Sequence, residues 1–156
     1  MDDPKHLNPQ IRILFNSDED FQGLFNLIKE TFKTPKTNQN QTDFLNQTIP
    51  DHLRAKFSNF IIHIHGGAFI ASSSDYHQSY LRQITRSTGV PIFSIDYGLA
   101  PTSPFPMGLE DCFSAVCFIF QFVRNILRID IKSYALMGDS SGGNFAFGTL
   151  QWIIES

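Results

Sequence analysis

The chain has 156 residues, of which 42% are hydrophobic and 17% charged, and its formal net charge is −3. This length predicts one domain, and the apolar fraction is ample for a packed core, which excludes global disorder. Because the net charge is negative and no cluster of basic residues stands out, nucleic acid is not an expected partner.

The first 57 residues predict a divergent helical segment followed by a polar linker. The opening stretch MDDPKHLNPQIRILF has acidic residues and no apolar core, so it does not resemble a secretory signal. Residues 33–48 are rich in Asn, Gln and Thr and lack periodicity, which is typical of a surface loop. Between these stretches, residues 18–32 have helical spacing, with Ser17 as the cap. The inward-facing positions are Phe21, Leu24, Phe25, Ile28 and Phe32.

From residue 58 to residue 156, short apolar runs alternate with longer ones and predict an α/β domain. Short continuous runs are typical of buried parallel strands, and longer periodic runs are typical of helices. The expected strands cover 60–64, 90–96 and 133–137, and the expected helices cover 75–88, 108–127 and 142–154. Ser74 or Asp75 is the expected cap of the first of these helices, and Gly89 its stop. The alternation predicts a three-layer αβα fold with a mostly parallel sheet.

The most apolar stretch, CFSAVCFIF at 112–120, predicts a buried helix and no transmembrane segment. It is much shorter than the roughly 20 apolar residues that a membrane span needs. It contains both cysteines, Cys112 and Cys117, which face different ways on a helix and cannot easily form a disulfide. We therefore expect reduced thiols in a cytoplasmic protein.

The pentapeptide Gly138-Asp139-Ser140-Ser141-Gly142 fits the pattern G-x-S-x-G between a predicted strand and a predicted helix. A serine on such a sharp turn has a strained backbone and projects its hydroxyl above the sheet. The helix that follows directs free N–H groups at any oxyanion that develops there. Ser140 is therefore a candidate nucleophile. The alternative is a glycine-rich turn without a chemical role.

A second glycine-rich stretch, HIHGGAF at 63–69, follows the first strand of the predicted domain. Acyl transfer needs several N–H donors directed at the carbonyl oxygen as it becomes charged, and such a loop can supply them. The alternative is an ordinary strand–helix turn. We expect His65 to brace this loop rather than act as a base, and His63 to belong to the core.

Four motifs occur in a diagnostic order: HGGAF at 65–69, IDYGLAPTSPFP at 95–106, LEDCF at 109–113 and GDSSGGN at 138–144. With them, the chain from about residue 60 to 154 closely resembles the hormone-sensitive lipase branch of the α/β-hydrolases. The resemblance implies an α/β-hydrolase fold that breaks off after the helix behind the serine. It also implies a serine carboxylic ester hydrolase that acts on hydrophobic acyl esters through an acyl-enzyme, with no cofactor and no metal ion.

The resemblance also implies roles for individual residues. Ser140 is the nucleophile, supported by Gly138, Asp139 and Gly142 of its motif and by His65 of the loop. The candidate oxyanion hole consists of Gly66, Gly67, Ala68 and Ser141, with Gly66 shaping the loop and the other three offering backbone N–H groups. Two positions depart from the family pattern, since Ala68 replaces a glycine and Thr102 a glutamate. The family places such a protein in lipid metabolism and leaves association with lipid droplets open.

The base that Ser140 requires is missing from the sequence. In this fold the order is serine, then acid, then histidine. Only 16 residues follow Ser140, and none is a histidine; all five histidines precede it, namely His6, His52, His63, His65 and His77. We expect the chain to be the front part of a longer hydrolase and inactive by itself. The alternatives are a partner chain that supplies the rest of the site, or a shortened relative.

The missing histidine leaves a second function open. Plant gibberellin receptors keep the serine turn but lack a working histidine, so the chain resembles them as well. In that interpretation it binds a small carboxylate ligand without catalysis. Nucleotide binding is not favoured, because neither G-x-x-x-x-G-K-[ST] nor G-x-G-x-x-G occurs in the sequence.

Overall fold

The computed structural model describes residues 9–18, 22–26 and 51–155 of the chain. Residues 22–26 are helical, as expected for part of the predicted helix 18–32. Phe21, Ile28 and Phe32 of that helix, and the whole polar segment 33–48, lie outside the described residues.

Four strands form one mixed sheet: β1 is Gln10–Leu14, β2 is Asn59–Ile64, β3 is Ile92–Asp96 and β4 is Ser133–Gly138. Their order across the sheet is β1-β3-β2-β4. Strand β2 runs parallel to both β3 and β4, whereas β1 runs antiparallel to β3. The three predicted strands and the mostly parallel sheet are therefore confirmed.

Helices cover both faces of this sheet: α1 is Asp51–Phe57, α2 is Ser74–Thr88, α3 is Met107–Gln121 and α4 is Ser141–Glu155. Gly89 ends α2 in the left-handed conformation that a glycine adopts freely, and its N–H donates to the carbonyl of Thr85. The predicted helix 108–127 is α-helical only in its first part, because a π-helical turn at Phe122–Ile126 follows α3.

Strand β1 and helix α1 were not expected from the sequence. Both lie in the first 57 residues and are short, with five and seven residues. An isolated run of this length gives no clear periodicity. Their stability comes from tertiary contact, since β1 pairs along β3 and α1 buries Leu53 and Phe57.

Alternate residues of β2 point to different layers of the fold. Phe60, Ile62 and Ile64 enter the larger core under α3 and α4, whereas Ile61 faces the smaller core around Leu81 of α2. In the larger core, aromatic rings meet edge to face, with the ring centroids of Phe60 and Phe93 5.4 Å apart. Such pairs add stability beyond the area that they bury. The three-layer αβα architecture is thus confirmed.

The most apolar stretch is part of α3, as expected. Cys112 is free and buried, and burial raises the pKa of its thiol, while Cys117 is free and half-buried. Within residues 9–18, 22–26 and 51–155, no helix combines the length and the apolar character needed to cross a bilayer.

Truncation of Phe93 to alanine should remove the ring that joins Phe57 and Phe60 in the core. We expect a loss of about 3–5 kcal/mol in the free energy of unfolding, measured by urea denaturation. Phe118→Ala, at a ring on α3 that is 53% exposed, is the matched control and should cost less than about 1 kcal/mol. Equal losses in the two variants would contradict this description of the core.

Candidate active site

A sharp turn joins β4 to α4 and carries Ser140. Gly138 ends the strand, Ser141 begins the helix, and Ser140 lies between them with φ at 51°. This left-handed conformation costs a residue other than glycine roughly 1–2 kcal/mol. The turn is held by the Asp139 carbonyl, which accepts the N–H of Gly142 at 2.8 Å. Ser140 is exposed to solvent.

The glycines of the pentapeptide are required by crowding. A Cβ on Gly142 would overlap the carbonyl oxygen of Ile64 and lie 2.6 Å from the carbonyl oxygen of His65. A Cβ on Gly138 would overlap the backbone of Gly142 itself. The first turn of α4 therefore rests directly on the end of β2, and only glycines allow that approach.

The loop after β2 adopts an unusual backbone over three consecutive residues. The φ angles of Gly67, Ala68 and Phe69 are 132°, 55° and 66°. The carbonyl of Gly67 accepts the N–H groups of Ile70 and Ala71 at 3.1 and 3.0 Å, which closes the turn. At Ala68, an L-residue fits the left-handed region at a modest cost.

Three N–H groups at this site are available to a ligand. Within the described part of the chain, the backbone N–H groups of Gly67, Ala68 and Ser141 have no hydrogen-bond acceptor. The N–H of Gly66 is different, because it donates to Oδ1 of Asp139 at 3.2 Å. A Cβ on Gly66 would overlap the same carboxylate. Asp139 therefore connects the loop to the turn of Ser140, which the sequence pattern did not indicate.

His65 braces the loop from below. Its Nδ1–H donates to the carbonyl of Gly66 at 2.7 Å, and its ring stacks on Tyr97 with a centroid distance of 4.4 Å. The Tyr97 hydroxyl in turn donates to the carbonyl of His65 at 2.9 Å. Burial lowers the pKa of His65, so the ring is neutral at neutral pH.

An apolar cleft of about 350 Å³ opens beside the loop and α4. Its wall is formed by the loop after β2, the proline-rich loop after β3 and the first turns of α3 and α4; lining residues include Ala68, Phe69, Ile70, Phe105, Asn144 and Phe145. Asp111 holds the proline-rich loop in place by accepting the N–H of Gly98 at 2.8 Å. A larger cleft of about 480 Å³ lies near β1 and contains no residue of the serine turn.

The model of a protein family described as alpha/beta hydrolase fold matches residues 61–156. The chain belongs to the α/β-hydrolase family. The matched range contains the serine turn, the loop after β2 and the cleft, so the geometry above is that of an α/β-hydrolase.

Curated relatives of this α/β-hydrolase chain include lipases and esterases. Hormone-sensitive lipase of Mus musculus is 44% identical over 93 residues, which are 60% of this chain and 12% of the lipase. Acetyl esterase of Salmonella paratyphi B is 30% identical over 93 residues, which are 60% of this chain and 28% of the esterase. The resemblance to hormone-sensitive lipase is confirmed, and the matched region spans about an eighth of that lipase.

Solved structures of esterases have the same fold over the matched region. A hyperthermophilic esterase from the archaeon Pyrobaculum calidifontis has a TM-score of 0.56 and 31% identity, covering 62% of this chain and 31% of the esterase. A bacterial heroin esterase has a TM-score of 0.58 and 28% identity, covering 62% of this chain and 30% of that enzyme. The chain therefore spans about a third of these structures.

Two histidines of this α/β-hydrolase chain, His63 and His77, have Nε2 within 4 Å of Asp139 Oδ1, and no described histidine makes a hydrogen bond to Ser140. His63 is fully buried, with Nδ1 2.8 Å from the hydroxyl of Ser94 and Nε2 2.8 Å from that of Tyr80. Burial, and next the nearby His77, lower the pKa of His63 to about 4. His52 is exposed on α1, and His6 lies outside the described residues.

The cap of α2 comes from a distant strand, which corrects the expectation of Ser74 or Asp75. Asp96, at the end of β3, accepts the backbone N–H of Ser74 and, at 2.6 Å, its hydroxyl. Ser73, the residue before the helix, makes no capping bond with its side chain. Arg12 of β1 donates to the same Ser74 hydroxyl at 3.0 Å and pairs with Asp75 at 2.9 Å.

Substitution of Gly142 by alanine should prevent α4 from resting on β2. We expect a loss of about 3 kcal/mol or more in the free energy of unfolding, because the carbonyls of Ile64 and His65 cannot move aside. Gly148→Ala on the same helix is the matched control, since a Cβ there meets only a movable leucine side chain, at 3.1 Å. A wild-type unfolding curve for Gly142→Ala would refute the crowding argument.

Acid should destabilise the fold through His63. The pKa of His63 is about 4 in the folded chain, against 6.5 for an unperturbed histidine, so protonation favours unfolding. The contribution of neutral His63 to the free energy of unfolding is complete above about pH 6.5. It falls by about 3 kcal/mol in total as the pH drops to about 4. Urea denaturation at several pH values should show this loss in the wild type and a smaller one in His63→Asn.

His52→Asn is the matched control for that experiment, because His52 is exposed. Its unfolding free energy should follow the pH dependence of the wild type. If His63→Asn has the same pH dependence as well, His63 is not the source of the acid sensitivity.

Proposed function

We propose that the chain carries the nucleophile and the oxyanion hole of a serine carboxylic ester hydrolase. One observation supports this most directly: Ser140 is held at φ 51° at the start of α4, beside a loop with unused N–H groups. The esterases and lipases among its relatives support the same reaction class.

In this proposal Ser140 Oγ attacks the ester carbonyl carbon, and the carbonyl oxygen takes the electron pair. The N–H groups of Gly67, Ala68 and Ser141 stabilise this oxyanion, together with the positive end of the α4 dipole. Loss of one such donor typically costs about 100–1,000-fold in rate. The alcohol then leaves, and water hydrolyses the acyl-enzyme.

In this proposal, the proton of Ser140 passes to a histidine that follows the serine in the order of the fold. No histidine follows Ser140 within these 156 residues. A serine hydroxyl without a base is a weak nucleophile. We therefore expect the 156-residue polypeptide to show no measurable turnover of a short p-nitrophenyl ester. Turnover at the rate of an ordinary esterase would contradict the need for a further histidine.

The apolar cleft supports hydrophobic acyl esters as the substrate class. Phe69 and Phe145 both line it and pack against each other with a ring-centroid distance of 4.8 Å, and Phe105 adds a third ring. Its volume of about 350 Å³ suits a chain of several methylene groups. We propose that this cleft receives the apolar part of the ester next to the oxyanion hole.

Sequencing of the transcript through and beyond the codon for Ser156 tests the missing base. An open frame that encodes an acid and then a histidine supports the esterase proposal. A stop codon directly after Ser156 favours a partner chain or the binding function.

A fluorophosphonate probe should label Ser140 in a polypeptide that includes the downstream histidine, because the probe reacts with activated serines. Ser140→Ala should abolish the labelling, read by gel fluorescence and peptide mass. Ser87→Ala, at an exposed serine of α2, is the matched control and should label like the wild type. Labelling that persists in Ser140→Ala would show that Ser140 is not the nucleophile.

The second candidate is a binding protein that uses the same cleft. It is favoured by one observation, that no described histidine is hydrogen-bonded to Ser140 although the cleft is formed. A downstream segment with an acid but no histidine, together with saturable binding of a small carboxylate and no labelling of Ser140, would support this function instead.

A further inference from the structure

His77 lies in the first turns of α2 and has no role in the proposed chemistry, yet it is close to the site. Its side chain is only 15% exposed. Its ring packs against His63 and His65, with centroid distances of 5.4 and 5.9 Å, and against Tyr80 of its own helix at 5.8 Å. It therefore stands under the loop that carries the candidate oxyanion hole.

Both ring nitrogens of His77 face groups that only accept hydrogen bonds. Nδ1 is 3.0 Å from the carbonyl oxygen of Ser73, and Nε2 is 3.5 Å from Oδ1 of Asp139. A neutral imidazole has one N–H and can satisfy only one of these oxygens, whereas the doubly protonated ring donates toward both. A proton at Nε2 of His77 therefore makes its contact with Asp139 attractive.

The neighbouring histidines differ in this respect. Both nitrogens of His63 face hydroxyls, which donate or accept as required, and burial lowers the pKa of His63 and of His65. Asp96 lies 3.8 Å from Nε2 of His65, and Asp139, in the serine turn, faces Nε2 of His77. Burial raises the pKa of Tyr80, which is therefore neutral. Of the described histidines, His77 has the ring nitrogen closest to Oδ1 of Asp139, at 3.5 Å against 3.9 Å for His63.

The carboxylate beside His77 is the one that holds the loop. Oδ1 of Asp139 faces His77 Nε2 and also accepts the N–H of Gly66. Because Gly66 has no Cβ, the carboxylate packs directly on its backbone. A displacement of Asp139 must therefore be transmitted to the loop.

We propose that His77, in its protonated form, is a positioning residue that holds Asp139 against Gly66 and so fixes the oxyanion loop relative to the turn of Ser140. The catalytic meaning of this contact rests on the proposed function, whereas the contact itself does not. Loss of the proton turns an attractive contact with Asp139 into one between two acceptors. The loop is therefore held firmly while Nε2 of His77 carries its proton and loosens when that proton is lost.

The test follows the Gly66 amide and the His77 ring by nitrogen NMR in the intact 156-residue chain, from about pH 5 to about pH 8. In the wild type we expect the Gly66 amide signal to shift in step with deprotonation of the His77 ring. Protection of this amide from hydrogen exchange should fall about fivefold over the same step, the effect of one hydrogen bond. If the two groups titrate at different pH values, or if His77 is neutral throughout, the proposal is wrong.

Two variants separate positioning from a general effect on folding. His77→Gln removes the charge and should abolish the pH-dependent step of Gly66, and Asp139→Asn should do the same. His52→Gln is the matched control and should keep the step. If the step persists in His77→Gln, the proposal is overturned, and the wild-type titration decides the question where a variant does not fold.

The NMR titration and the labelling experiment together distinguish the positioning role of His77 from the proposed esterase function. Absence of Ser140 labelling in a chain with coupled His77 and Gly66 signals would overturn the esterase proposal alone. Labelling of Ser140 with uncoupled signals would overturn the positioning role alone.

Discussion

The arrangement of the candidate site depends on the close approach of two backbone segments, the first turn of α4 and the end of β2. The first turn of α4 rests on the carbonyls that end β2, at a distance that excludes even a methyl group on Gly142. This contact fixes the direction in which α4 leaves the sheet, and with it the position of Ser140. It also brings the loop after β2 beside the same turn, because the contacted carbonyls are those of Ile64 and His65. Strand, helix and loop are thus positioned by one steric constraint.

Hydrogen bonds and a ring stack then hold the loop after β2 in place beside the turn of Ser140. Asp139 accepts the N–H of Gly66, and Tyr97 with His65 supports the loop from the other side. Each of these bonds joins different segments of the chain and is partly or fully buried, where an unpaired polar group would be costly. The N–H groups left unused are those that point to the position of a reacting carbonyl in the proposal.

The sequence was sufficient where a feature is local. The strands β2, β3 and β4 are short, mostly apolar runs with a Gly at or within two residues of their ends, and the serine turn has its glycines at fixed spacing, so both were predictable. Strand β1, helix α1 and the cap of α2 depend on partners far along the chain, and a local pattern contains no sign of them. The same holds for Asp139, whose place in the motif gave no indication of a bond to Gly66 or a contact with His77.

The shared use of Ser74 by two distant residues has a consequence for the order of folding. Its partners Arg12 and Asp96 lie 62 and 22 positions away in sequence. An isolated peptide with the α2 sequence lacks both, so its first turn should fray while its glycine-capped end holds. All the contacts of Ser74 are present only when β1 and β3 are both in place, which makes the first turn of α2 a local reporter of the docking of the N-terminal strand.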